Sequence, residues 1–188
     1  MKKNVQLLLA GASMFLLFSC NQPMNNEAGK PDHAAEMKSR YNIVNDAFST
    51  GNTAGIDTLV AADVIDHAED TSMHLPPGPE GLKQMIAMMR AESPDLKSEV
   101  KFMAADGDML IAYGTMSGTN TGPLMGSMPP TNKAWSCEFC DVVKFNSDMK
   151  MAEHWGVWDQ MKVMKDLGMM PPMDQASGNK PQASGKKK

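Results

Sequence analysis

The apolar residues of this chain change their spacing between Pro94 and Glu99, from the period of helices to the period of strands, and that switch restricts the fold to one class. Before it, Met37, Tyr41, Val44 and Phe48 fall at i, i+4, i+7 and i+11, one face of a helix that starts near Asp32 and stops at Gly51. A short second helix carries Ile56, Leu59 and Val60. Pro76-Pro77-Gly78-Pro79 then breaks the chain and sets a proline at a helix start, after which Leu82, Met85, Ile86 and Met89 form a third apolar face that Ser93-Pro94 ends. Beyond the switch, Val100, Phe102 and Ala104 alternate with Glu99, Lys101 and Met103, and Asp106-Gly107 signals a hairpin. Met109 to Ser117 returns along that strand, and a loop rich in glycine and proline spans roughly 118–133. Ala134 to Phe145 then pairs with Met149 to Trp158 through Asn146-Ser147-Asp148, and a last helix runs from near Asp159 to Gly168. Helices followed by an antiparallel meander predict an α+β fold in which a curved sheet wraps a helix and leaves a pocket at its open end.

The two ends read differently. Lys2 and Lys3, an apolar run from Val5 to Phe18, and Ser19 before Cys20 have the three zones of a signal peptide, residues 1–19. Gln6, Gly11 and Ser13 interrupt the run, which falls short of the roughly 20 apolar residues that span a bilayer. Leu17-Phe18-Ser19-Cys20 resembles a lipobox, although Phe18 is larger than the residue usual there, so Cys20 is the expected acylation site and a lipid anchor the expected membrane contact. Asn21, where an aspartate resembles a retention signal, points to the outer membrane, facing the periplasm. Residues 20–34 form the lipidated cysteine and tether, 35–168 one domain, and 169–188 a polar tail that buries too little apolar surface to order itself. Loss of Lys2 and Lys3 makes the formal charge of −4 two units more negative, which argues against nucleic acid as a partner. Once Cys20 is acylated only Cys137 and Cys140 remain, so packing rather than a disulfide framework must hold the fold.

Three blocks together resemble the SnoaL-like polyketide (ester) cyclases, over about residues 35–168. They are Gly78-Pro79-Glu80-Gly81-Leu82; Ser117 to Gly122 with Leu124-Met125-Gly126 and Pro129-Pro130-Thr131; and Glu153-His154-Trp155-Gly156-Val157-Trp158-Asp159. The resemblance implies the cone-shaped α+β barrel of the nuclear-transport-factor-like superfamily, often a homodimer. It also implies intramolecular aldol chemistry without metal or cofactor, driven by a carboxylate whose pKa is raised in an apolar cavity. In the family that aspartate stands two residues after the histidine of the last strand, a position held here by Gly156, and Asn120 stands where a histidine is more usual.

His154, Gly156 and Trp158 share one face of the last strand, and Cys137, Phe139 and Asp141 share the matching face of the strand before it. The resemblance turns that face to the cavity and places a polar active-site residue at Asp141 and a polar residue of the cavity mouth at Asp66. The catalytic set it implies is Asp66, Asp141 and His154, with Asp141 as base and His154 as acid or carbonyl-polarising donor. Tyr113, Phe139, Gly156 and Trp158 are expected to shape the pocket. Cys137-Glu138-Phe139-Cys140 has the spacing of redox and zinc motifs, but on an extended strand its thiols point to opposite faces ~10 Å apart, too far for a disulfide. Met161, Met164, Met169, Met170 and Met173 could offer soft ligands to Cu(I), yet no histidine or cysteine is interleaved with them, and methionine is an adaptable core filler. No metal site is expected. Two readings stay open: an enzyme performing cofactor-free acid/base chemistry on a small apolar carbonyl compound, and a noncatalytic lipoprotein that binds a small apolar ligand in the cell envelope.

Overall fold

A computed structural model describes residues 33–68, 74–124 and 126–170. The expected signal peptide, Cys20, and almost all of the expected tether and tail lie outside them. The first helix, α1 (His33–Thr50), buries Met37, Tyr41, Val44 and Ala47, the face that the spacing marks out. It ends at Gly51, whose φ of 75° suits a residue without Cβ. The Arg90 guanidinium satisfies its last carbonyls: Nη1 donates to Phe48 O at 3.1 Å and to Ser49 O at 2.5 Å.

The next element departs from expectation. A four-residue helix, α2 (Ile56–Leu59), gives way at Val60 to a strand, β1 (Val60–Asp66), which pairs in parallel with the last strand. Val-Ala-Ala-Asp-Val-Ile-Asp lacks clean alternation, and the register of β1 shifts between Val60 and Ile65, so no period announces it. Helix α3 (Pro79–Glu92) follows, with Pro79 in its first turn. A Cβ on Gly78 would meet the carbonyl oxygen of Ala62 at 2.6 Å, so the glycine lets the start of α3 lie directly on β1.

Strands β2 (Lys97–Asp106), β3 (Met109–Thr119), β4 (Ala134–Phe145) and β5 (Met151–Trp158) form the meander, and helix α4 (Gln160–Asp166) closes the described chain. The five strands lie in the order β1-β5-β4-β3-β2. This curved sheet is mixed rather than wholly antiparallel, and it does not close, because β1 and β2 are its edges. Asp106 pairs with Met109, so Gly107 and Asp108 form the two-residue loop, one position later than the expected hairpin turn.

The faces of β2 also need correction. The register shifts between Val100 and Phe102, and beyond that bulge Met103 and Ala105 pack on the core while Phe102 is 59% exposed. An extra residue inverts the parity of all that follows, which is why simple alternation put Phe102 on the wrong side. One contiguous core joins Met37, Tyr41, Val44 and Ala47 to Ile56, Leu59, Val60 and Ile86, and to Leu110, Ala112, Val143, Phe145 and Met151 of the sheet. A smaller cluster of Leu124, Cys137, Val163 and Leu167 seats α4 on β4. Among the described residues no helix is long and apolar enough to cross a membrane.

Candidate functional site

Period-two alternation on β4 and β5 sets Asp141, Phe139 and His154 on the face that meets α1. Asp66, the last residue of β1, is the register partner of His154, which brings the two side chains together across the parallel pair. His154 Nδ1 and Asp66 Oδ1 are 2.9 Å apart, and Asp66 Oδ1 also accepts the Ala68 N–H at 3.0 Å. On the other side of the ring, His154 Nε2 lies 3.5 Å from Asp141 Oδ1. The remaining oxygen of Asp141, Oδ2, accepts the Tyr41 hydroxyl at 2.5 Å.

Three strands and a helix thus contribute one row of polar groups: Asp66, His154, Asp141 and Tyr41. Sequence reasoning names the first three. Tyr41 reads from its spacing as a core residue, and it is buried; nothing in its neighbours announces that its hydroxyl reaches an aspartate a hundred residues away.

Burial alone would push His154 down, but the hydrogen bonds and charges of Asp141 and Asp66 outweigh it and raise the imidazole to about 9. At neutral pH it is therefore an imidazolium. Burial would likewise raise Asp66, yet the His154 hydrogen bond and charge and the Ala68 N–H hold it below the usual carboxylate range. Burial first, then the charge and hydrogen bond of Asp141, raises Tyr41 well above an ordinary phenol, so it keeps its proton and serves as a donor. Two carboxyl groups, those of Asp66 and Asp141, thus flank a single imidazolium.

The side chains of His154, Asp66 and Asp141 are 30%, 34% and 23% exposed, so the row opens to solvent. Beneath it the core is filled, because Met37, Tyr41, Val44 and Ala47 of α1 join Leu110, Ala112 and Val143 of the sheet in one packed cluster. Two clefts lie elsewhere: one of about 500 Å³ beside Asn42, Asn45 and Ser98, and one of about 300 Å³ beside Cys137, Glu138 and Lys162.

The family model for SnoaL-like polyketide cyclases matches residues 38–167. The chain belongs to that family. Among solved structures it is similar to TsrD of Streptomyces laurentii, at 20% identity and a TM-score of 0.66 over 75% of this chain and 100% of that one. It is also similar to IdmH of Streptomyces antibioticus, at 23% and 0.60 over 71% and 99%, and to a SnoaL-like polyketide cyclase of Agrobacterium tumefaciens, at 21% and 0.57 over 70% and 98%. At these identities the likeness is one of fold. No curated protein sequence matches the chain.

Within this SnoaL-like domain the other expected site residues are placed as follows. Phe139 is buried on the same face as Asp141, and Trp158, its register partner, is half-exposed. Tyr113 stands on the opposite face of the sheet, where its hydroxyl donates to Glu138 Oε1 at 2.6 Å; it does not shape the pocket, because its neighbour Ala112, not Tyr113, pairs with Asp141. Asn120 is no site residue either. Its buried amide donates to Glu92 O and Gly122 O and accepts from Thr131 N and Oγ1, which staples the long loop. Glu153 turns away from His154 to the outer face, where it meets Lys144 at 2.9 Å and His67 at 3.1 Å. Cys137 and Cys140 are free thiols. Met161 and Met169 are exposed, Met164 and Met170 partly buried, and Met173 lies outside the described residues.

Proposed function

We propose that this SnoaL-like domain catalyses cofactor-free proton transfer on a small, uncharged, apolar carbonyl compound bound at the mouth of the cone. The observation that carries the reading is the loose contact between His154 Nε2 and Asp141 Oδ1. At 3.5 Å it is well beyond the 2.7–2.9 Å of a tight charge-assisted hydrogen bond, whereas the Nδ1 contact to Asp66 is 2.9 Å. An imidazolium N–H held beside a carboxylate, and not fully spent on it, can turn to a carbonyl oxygen.

In the step that follows, Asp141 Oδ1 takes a proton from the carbon next to that carbonyl while His154 Nε2–H donates to the oxygen, which gives the enol. Asp66 fixes the orientation of the ring and does not exchange protons near neutral pH. The test is deuterium exchange at the activated carbon of a panel of ketoesters in heavy water, followed by NMR. Exchange should require the protein and be lost in Asp141→Asn; exchange that survives this substitution, or none with any ketoester, sinks the catalytic reading.

Gly156 favours a second reading, a noncatalytic ligand carrier, because the position that holds the family's acid/base group has no side chain. Copurification of an apolar carbonyl compound without turnover would select it.

The chain's ends support export and anchoring: a basic start, an apolar run and Cys20 are what an acylated envelope protein requires, with the outer membrane as destination. A homodimer is supported by the outer face of the sheet, where Phe102, Tyr113, Cys140 and Val157 form one cross-strand row and Ile111, Val142 and Trp155 the next. Val157 is 70% exposed, and an apolar sheet face of this kind gains stability when a second copy covers it.

A further inference from the structure

We infer that Gly156 is a positioning residue, whose missing side chain allows the Asp141 carboxylate to lie beside the His154 imidazole. This deepens the acid/base reading of the site and rests on it. Asp141 and Gly156 are direct register partners on β4 and β5, and His154 precedes Gly156 by two residues on the same face. Asp141 and His154 are therefore diagonal neighbours across the strand pair, about 7–8 Å apart at their backbones, and must lean towards each other to meet.

Both lean over the bare backbone at 156. A Cβ built there would stand 2.9 Å from His154 Cε1, 3.1 Å from His154 Nε2 and 3.2 Å from Asp141 Oδ1. The nearest atoms to that point are thus the two partners of the ion pair, not backbone. Even alanine would press on both at once and drive them apart. The same contacts explain how a carboxylate reaches the ring when the strand that bears the histidine supplies none: Asp141 comes across from the neighbouring strand, and the space it uses is the space a side chain at 156 would take.

The charged groups facing the imidazole are Asp66 from β1 and Asp141 from β4, with the Tyr41 hydroxyl of α1 behind Asp141. A double-mutant cycle on the His154 titration midpoint, read by imidazole NMR and assigned with His154→Gln, separates positioning from mere packing. Gly156→Ala should lower the midpoint by roughly one to two pH units, and Asp141→Asn by a similar amount. The double variant should show no further drop, because Gly156 acts through Asp141. A midpoint unmoved by Gly156→Ala, or lowered as much in the Asp141→Asn background as in the native one, overturns the inference.

If Gly156→Ala is too unstable to titrate, Asp141→Ser should restore its folding by vacating the room into which the ring must move; failure of that rescue also overturns it. The titration needs no substrate. Coupling between the two positions in a protein that exchanges no ketoester would keep the positioning role and remove the enzymatic reading, while exchange without coupling would do the reverse.

Discussion

Replacing His154 with glutamine should remove a specific slope from the pH dependence of stability. In the native protein the imidazole rises from an ordinary 6.5 to about 9, held by Asp141 and Asp66 against the cost of burial. At about 1.4 kcal/mol per pH unit that difference is worth about 3 kcal/mol, and since the side chain is nearly a third exposed, screening trims it to about 2 kcal/mol. Below pH ~6.5 the folded and unfolded chains both hold the proton, and the full contribution is present. As pH climbs towards 9 the unfolded chain gives the proton up while the folded one keeps it, so stability falls; above the folded value nothing of it remains. Urea melts of native and His154→Gln protein at intervals from pH 6 to 9.5 measure the difference directly, and other titrating groups cancel between the two. The gap should narrow by about 2 kcal/mol across the window, or roughly 8 °C in melting temperature for a domain of this size. A gap that stays constant within about 0.5 kcal/mol would refute the paired imidazolium and with it the proton inventory of the site.

Other expectations follow from single contacts. Asn120→Ala takes partners from the Gly122 carbonyl and the Thr131 N–H and should cost roughly 2–3 kcal/mol in a denaturant melt, without moving the His154 titration. Val157→Lys puts a charge in the exposed apolar row and should shift sedimentation from dimer to monomer; a native protein that already sediments as a monomer removes the proposed interface. Two carboxyl groups against one imidazole should make a ketoester bind better than the corresponding free acid, with the preference shrinking as salt is raised, and equal affinities would count against binding beside this row. Cys20→Ser should abolish incorporation of labelled palmitate and release the protein from the membrane fraction; unchanged labelling would place the lipid elsewhere or nowhere.

Periodicity and punctuation alone determine the helices α1 and α3, the meander from β2 to β5, and the sharing of one face of β5 by His154 and Gly156. These follow from chain geometry that repeats every 3.6 or every two residues, and a sequence records such repeats directly. The departures arise where the repeat is interrupted or where partners are remote. A bulge after Val100 inverts the face of Phe102, and β1 becomes a strand only because β5 is there to pair with it. Tyr113 falls on the outer face because the pairing register of β3 with β4 is a property of two strands together. The row from Asp66 through His154 and Asp141 to Tyr41 draws on α1, β1, β4 and β5, and its protonation states are set by distances between groups that the chain separates by up to a hundred residues. Local spacing carries no record of such distances, since electrostatic coupling depends on separation in space, and only the packed sheet and helix fix that separation.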